Sequence, residues 1–287
     1  MQKITKAVIA AAGFGTRFLP QTKAMPKEML PIVDKPVIQY VVEELVESGI
    51  KDIVIVTGWH KRSIEDHFDY PYELITLLEE QKKAKLLEEV KRSASLANFV
   101  YIRQKGPYGN GTPFYCARQV IDNEPFVAMF GDEFITANPP RVKQCIDTFR
   151  KYGDPVLSAV RVKDVTKVGV IGGTEVEKNI WQIKKYIEKP TREEAPSNLG
   201  VVGCYVLTPD IFSALEGLEP GKGNEIWLVD AINKLMKKRP VYACEVQNAH
   251  YYDTGNKLDY MKTVVAHAMK HPEIGSDFKK YLKGLRI

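Results

Sequence analysis

Ala7 to Ala12 is a continuous apolar run that stops abruptly at Gly13-Phe14-Gly15. A strand that is apolar on both faces must be covered on both faces, which a parallel sheet flanked by helices achieves. The chain downstream agrees. Pro36 opens a stretch in which Val37, Ile38, Val41, Val42, Leu45 and Val46 recur at helical spacing, and Gly49 closes it. Ile53 to Val56 is the next strand, Phe99 to Ile102 another, and Phe126 to Phe130 a fourth. This alternation predicts an α/β fold with a Rossmann-like, doubly wound sheet.

Between Tyr72 and Ala94 the pattern is polar and leucine-rich, which predicts one long helix with a wet face. After Asp132 the texture changes. Val156 to Val162, Ile180 to Ile187, Val201 to Leu207 and Val241 to Val246 read as added strands, separated by turns such as Gly172-Gly173, that extend the sheet into a mixed one and build a second lobe. Leu258, Met261, Val264, Val265 and Met269 return to helical spacing near the end. No internal repeat or low-complexity tract interrupts this order.

Composition narrows the functional classes. Lys plus Arg number 41 against 36 Asp plus Glu in 287 residues, a net charge of +5. That excess is diluted by acidic runs such as Glu43-Glu44 and Glu79-Glu80, so no nucleic-acid face is expected. No stretch approaches the roughly 18 apolar residues of a membrane span, and Met1 to Lys6 lacks a secretory core. Cys116, Cys145, Cys204 and Cys244 lie far apart without a Cys-x-x-Cys pair and read as isolated small hydrophobes, consistent with a reducing, cytoplasmic setting. His60, His67, His250, His267 and His271 form no cluster in the sequence and read as surface residues.

The chemistry is concentrated after the first strand, in Ala11-Ala12-Gly13-Phe14-Gly15-Thr16-Arg17. A glycine turn there lets backbone N–H groups approach phosphate oxygens. Phe18 stands where the dinucleotide fingerprint needs its third glycine, which disfavours a redox Rossmann enzyme, and no Gly-Lys-Ser/Thr follows to make a P-loop. Arg17, Lys23 and Lys27 follow instead, cations that can reach a triphosphate and neutralise charge as it shifts onto a leaving group. Asp132 follows the apolar run Phe126 to Phe130 through Gly131, and Asp253 follows Tyr251-Tyr252, so both carboxylates stand at strand-to-loop junctions. Residue types and spacing alone stop at a phosphate-binding α/β enzyme.

The run from Ala7 to Tyr40, AVIAAAGFGTRFLPQTKAMPKEMLPIVDKPVIQY, resembles the signature of the sugar-1-phosphate nucleotidyltransferases, in particular the bacterial type acting on UTP and glucose 1-phosphate. The resemblance continues through Arg103-Gln104, Gly131-Asp132, Glu188-Lys189-Pro190, Pro196-Ser197-Asn198-Leu199 and Tyr252-Asp253-Thr254-Gly255-Asn256-Lys257-Leu258. It implies transfer of UMP from UTP to glucose 1-phosphate, giving UDP-glucose and pyrophosphate, with Mg²⁺ held by Asp132 and Asp253. Arg17, Lys27 and Lys189 would be catalytic. Ala11, Ala12, Gly13, Gly15 and Thr16 would bind the nucleotide, and Gln104 and Gly109 its base, through an amide that donates and accepts at once and a glycine that leaves room for a ring. Gly169, Glu188 and Val202 would line the sugar pocket.

The resemblance divides the chain into a nucleotide-binding half over about 1–135, a sugar-binding half over about 136–255 and C-terminal helices over about 256–287. It also implies a homodimer or homotetramer. Three departures from the family pattern stand out: Glu133, where relatives often carry a second Asp; Gly109-Asn110-Gly111-Thr112-Pro113-Phe114; and Trp227 and Val229, where Gln and Thr are usual. They keep another nucleotide such as dTTP, another sugar phosphate, or an inactive regulatory paralogue open as alternatives.

Overall fold

A computed structural model describes residues 3–252 and 254–285. Its elements begin with β1 (Lys6–Ala11), a small hairpin of β2 (Pro31–Ile32) and β3 (Lys35–Pro36), α1 (Val37–Glu47), β4 (Asp52–Thr57), α2 (Arg62–Phe68), α3 (Tyr72–Glu80) and α4 (Ala84–Ala94). There follow β5 (Asn98–Arg103), α5 (Thr112–Cys116), α6 (Arg118–Ile121), β6 (Phe126–Phe130), β7 (Phe134–Ala137), α7 (Arg141–Tyr152) and β8 (Val156–Arg161). The rest is β9 (Gly169–Glu177), β10 (Ile180–Glu188), β11 (Leu199–Leu207), α8 (Asp210–Glu216), α9 (Leu228–Met236), β12 (Tyr242–Glu245), β13 (Ala249–Tyr252), α10 (Lys257–Ala268) and α11 (Gly275–Gly284).

Nine strands form one mixed sheet in the order β5-β4-β1-β6-β11-β8-β12-β10-β9. The first four are mutually parallel, and β11 then runs antiparallel to β6. The apolar run of β1 is covered on both faces, as its pattern required. Ala7, Ile9 and Ala11 pack in one core with residues of α1 and α7, whereas Val8 and Ala10 pack in the other with Phe114 of α5 and Leu228 of α9. The added strands extend this same sheet rather than building a separate one, so the two halves of the site share one floor.

Four sequence expectations are corrected by packing. The helix expected over Tyr72 to Ala94 is two helices, because Lys82 takes a left-handed conformation, φ 55°, and ends α3. Lys83 N–H donates to the Leu78 carbonyl and Lys82 N–H to that of Glu79, a Schellman cap without its usual glycine. Gly172-Gly173 is not a turn but lies inside β9, where a side chain at 173 would meet the Gln182 carbonyl of β10 at 2.0 Å. The cysteines are not isolated: Cys145 of α7 meets Cys204 of β11 and Cys244 of β12, a contact that with burial pushes the Cys145 thiol up. Last, His267 is half-buried and stacks edge-on against Tyr40, Phe134 and Tyr252.

Candidate active site

The register of the parallel strands builds the site. Ala10 lies opposite Phe130 and Ala11 opposite Thr57, so the loops after β1, β4 and β6 emerge together at one end of the sheet. Ligands lodge at that end of open α/β sheets. After β1 the chain passes through Ala12, Gly13, Phe14 and Gly15, then turns through a single 3₁₀ turn, Thr16–Phe18. Gly15 is left-handed, φ 67°, and its carbonyl accepts from the Thr22 hydroxyl, which closes the loop on itself.

Lys27 returns to this loop and joins it to the end of β6. Its Nζ lies 2.5 Å from Asp132 Oδ2, with both side chains about three-quarters buried. Burial acts against the Lys27 ammonium, yet the Asp132 and Glu28 carboxylates outweigh it and raise the Lys27 pKa. Burial likewise acts against the Asp132 carboxylate, and the Lys27 and Lys61 ammoniums hold it below its ordinary value. Arg17 is close enough to act electrostatically on Lys27, and its Nη1 donates to the Gly255 carbonyl at 3.1 Å. Asp253 lies outside the described residues, but Thr254 beside it donates its hydroxyl to the Asp132 carbonyl. The segment around 254–255 therefore closes over Arg17 and Asp132.

Beneath this pair is one that the sequence did not disclose. Lys61, at the start of α2, donates to Glu28 Oε2 at 2.6 Å, with 4% and 0% of the two side chains exposed. Burial pushes the Glu28 carboxyl up, opposed by Lys27 and Lys61. Glu28 Oε1 is buried with no hydrogen-bond partner among the described residues, an omission that costs roughly 1–3 kcal/mol. Glu28 stood in the Lys27-Glu28-Met29 motif without drawing attention, and a lone Lys after a strand carries no signal of its own.

The two residues expected to meet the base, Gln104 and Gly109, follow β5. Gln104 N–H donates to the Thr57 carbonyl at 2.8 Å, placing Gln104 at the same end of the sheet as Ala12. Gly109 is also required by the chain itself, because a side chain there would meet the Ile226 carbonyl at 2.2 Å, on a backbone with φ 132°. Ile226 N–H donates to the Tyr108 carbonyl, Gly111 N–H to that of Ile226, and Leu228 N–H to Asn110 Oδ1. These bonds fasten the 108–111 loop to the 225–228 segment.

Two of the residues expected at the sugar, Gly169 and Glu188, meet where β10 ends. Glu188 lies opposite Gly169 of β9. Lys189, in a left-handed backbone, φ 45°, places Nζ 3.8 Å from Glu188 Oε1 and 5.8 Å from the centre of the Trp227 ring. Burial pushes the Glu188 carboxyl up, with Asp230 adding to the rise and Lys189 opposing it. Val202 does not join this group. It is fully buried, and its carbonyl is taken by Arg141 Nη1 at 2.9 Å and the Ser158 hydroxyl at 2.5 Å, so it braces an irregularity in β11 rather than lining a pocket. Glu133 turns its carboxylate toward Gly203 of the same strand.

One sheet end thus carries a glycine loop, two cations and a carboxylate on one side, and a carboxylate–lysine pair on the other. The nucleotidyl transferase family model matches residues 6–269, nearly the whole of this arrangement. This chain belongs to the nucleotidyltransferase family. It is 48% identical to the UTP--glucose-1-phosphate uridylyltransferase of Staphylococcus epidermidis over 100% of both chains, and 47% identical to that of Bacillus subtilis over 99% of this chain and 98% of the other. Its fold matches a UDP-glucose pyrophosphorylase complexed with UDP-glucose, at 40% identity and TM-score 0.86 over 94% of this chain and 100% of that one. It also matches a UTP-bound UGPase from Acinetobacter baumannii, at 36% identity and TM-score 0.91 over 99% and 100%. The nucleotidyltransferase family accounts for the mixed sheet that the sequence led to expect.

Proposed function

We propose that the chain transfers UMP from UTP to glucose 1-phosphate in a magnesium-dependent reaction, forming UDP-glucose and releasing pyrophosphate. The observation that carries this reading is the Lys27–Asp132 pair, held beside the glycine loop at the carboxyl end of the parallel strands. The names of the full-length relatives support the substrates.

The phosphate of glucose 1-phosphate is already a competent nucleophile near neutral pH, so its oxygen attacks the α-phosphorus of UTP directly as pyrophosphate leaves. No side chain has to remove a proton or form a covalent intermediate. Rate then comes from alignment and from charge placed where it develops. The loop from Ala11 to Thr16 offers its amides to the triphosphate, and Arg17 and Lys27 meet the leaving pyrophosphate. Gln104 reads the uracil edge. Lys189 sets the attacking phosphate, and Glu188 accepts hydrogen bonds from hexose hydroxyls next to Gly169.

The donor set suits Mg²⁺. Among the described residues no three His, Cys, Asp or Glu side chains are grouped to make an all-protein cage, and Mg²⁺ commonly takes one or two carboxylates and completes its shell with phosphate oxygens and water. Asp132, with Asp253, would hold it. When bound, the ion neutralises phosphate charge and orients the triphosphate.

This assignment makes residues up to about 135 the nucleotide half and 136–255 the sugar half. It places the protein in the cytoplasm as a homodimer or homotetramer; no helix among the described residues is long and apolar enough to cross a membrane. Four nucleoside triphosphates assayed against several sugar phosphates, with and without Mg²⁺, test the reading. UTP with glucose 1-phosphate and Mg²⁺ is the expected optimum, and faster turnover of dTTP or of another hexose phosphate would overturn it.

A further inference from the structure

The turn that carries Lys27 is a single 3₁₀ turn, Lys27–Met29, and within it only Glu28 is buried. Met29 packs against the core only partly buried, so the one fully buried anchor within the turn is ionic, Glu28 to Lys61 at 2.6 Å. The anchor also reaches the other side of the site. The Glu28 stem runs under Gly131, where an added side chain would lie 3.2 Å from Glu28 Cγ, and Gly131 directly precedes Asp132. Lys61 in turn begins α2 and follows β4, so it ties the turn to the rigid parallel strands.

A pair this deeply buried is a poor stabiliser. Replacing such pairs with well-packed apolar residues of similar volume is often neutral or favourable, whereas removing one partner is strongly unfavourable. Its placement is what distinguishes it, directly beneath two opposed charges whose separation matters to phosphate chemistry. We propose that Lys61 is a positioning residue: paired with Glu28, it fixes the turn bearing Lys27 and so sets that ammonium against Asp132. This rests on the role given above to Lys27.

The test compares the parent with Lys61→Met, the double variant Glu28→Leu/Lys61→Met, and Lys27→Ala, measuring melting temperature and, separately, kcat and KM for each substrate. Lys61→Met is expected to melt lower and to lose kcat by about 10²-fold, the scale of a misplaced catalytic group. The double variant separates stability from positioning, since it is expected to recover the melting temperature while kcat stays low and KM for glucose 1-phosphate stays parental. A refolded double variant with kcat within about threefold of the parent overturns the proposal. If the double variant does not fold, Glu28→Gln, which keeps the shape and removes the charge, decides on the same two kcat criteria. If Lys27→Ala is slow while the double variant is fast, the positioning role alone falls. If Lys27→Ala turns over at the parental rate, the reading of Lys27 falls and Lys61 loses its purpose with it.

Discussion

Lys27 Nζ and Asp132 Oδ2 meet at 2.5 Å although 105 residues separate them in the chain. The contact joins the loop after β1 to the end of β6, and each group holds the other in its charged form: the Lys27 pKa is raised and that of Asp132 lowered. The pair therefore stays ionised across the neutral range, as the roles proposed for Lys27 toward phosphate and for Asp132 toward a divalent ion require. Lys27→Met and Asp132→Asn are each expected to lower kcat by about 10²–10³-fold, the usual cost of one lost electrostatic contact to a transition state. The two should differ in one respect. Asp132→Asn raises the Mg²⁺ concentration needed for half-maximal rate, and Lys27→Met weakens inhibition by pyrophosphate. Steady-state rates over a magnesium titration check the first and over a pyrophosphate titration the second, and a Lys27→Met protein as fast as the parent would remove Lys27 from the mechanism.

Glu188 gives a pH dependence of defined sign. Its carboxyl is raised above 4.5, first by burial and then by Asp230. A raised carboxyl contributes stability that is present below the unfolded-state value and is lost as pH rises through the folded one. At pH 7.5 the charged Glu188 thus burdens the fold, and Glu188→Gln should melt higher than the parent there, with the difference vanishing near pH 4. Activity should move the other way. Gln cannot accept at both terminal atoms, so KM for glucose 1-phosphate should rise, and the acid limb expected of the parent should flatten in the variant. The sugar phosphate itself ionises near pH 6, so the variant is the reference against which the parent's profile is read.

What the sequence disclosed and what it hid follow from the range of the forces involved. The β1 run, the Pro36–Gly49 helix and the Asp132 strand end were legible because each is a local pattern of period or punctuation. Lys82 was not, because a lysine in the left-handed position of a helix cap has no compositional mark. Gly172 and Gly173 carried a true signal of close backbone approach, but it pointed to β10 rather than to a turn. Lys61, Val202 and the Cys145–Cys204–Cys244 contact depend on which distant segments meet, and no window of sequence contains that. The glycine loop after β1 was readable as a motif; the ion pair beneath it was not.

Gly109 should be among the least replaceable residues outside the core. An alanine there would bring Cβ to 2.2 Å from the Ile226 carbonyl and would have to hold φ at 132°. Strain of this kind combined with a steric clash is expected to cost about 2–4 kcal/mol, read as a shifted urea midpoint at unchanged slope. The joint to residues 225–228 would loosen as well, so KM should rise for both substrates rather than for UTP alone. A variant with parental midpoint and parental KM values would show that the joint carries no strain.

Trp227, a departure from the family pattern, lies against Lys189. The Lys189 ammonium is 5.8 Å from the Trp227 ring centre and 3.8 Å from Glu188 Oε1, so an aromatic face and a carboxylate together restrain a side chain that is 45% exposed. A cation–aromatic contact at such a site is worth about 0.5–1 kcal/mol, which corresponds to roughly a twofold to fivefold change in binding. Trp227→Gln, the residue usual in the resembling family, is expected to raise KM for glucose 1-phosphate by about that factor while leaving KM for UTP alone. Trp227→Phe keeps an aromatic face and should recover most of the loss. The effect should also vanish in a Lys189→Ala background, because the ring then has no ammonium to hold. Additive losses in the Lys189→Ala/Trp227→Gln protein would mean that Trp227 acts on the sugar independently of Lys189.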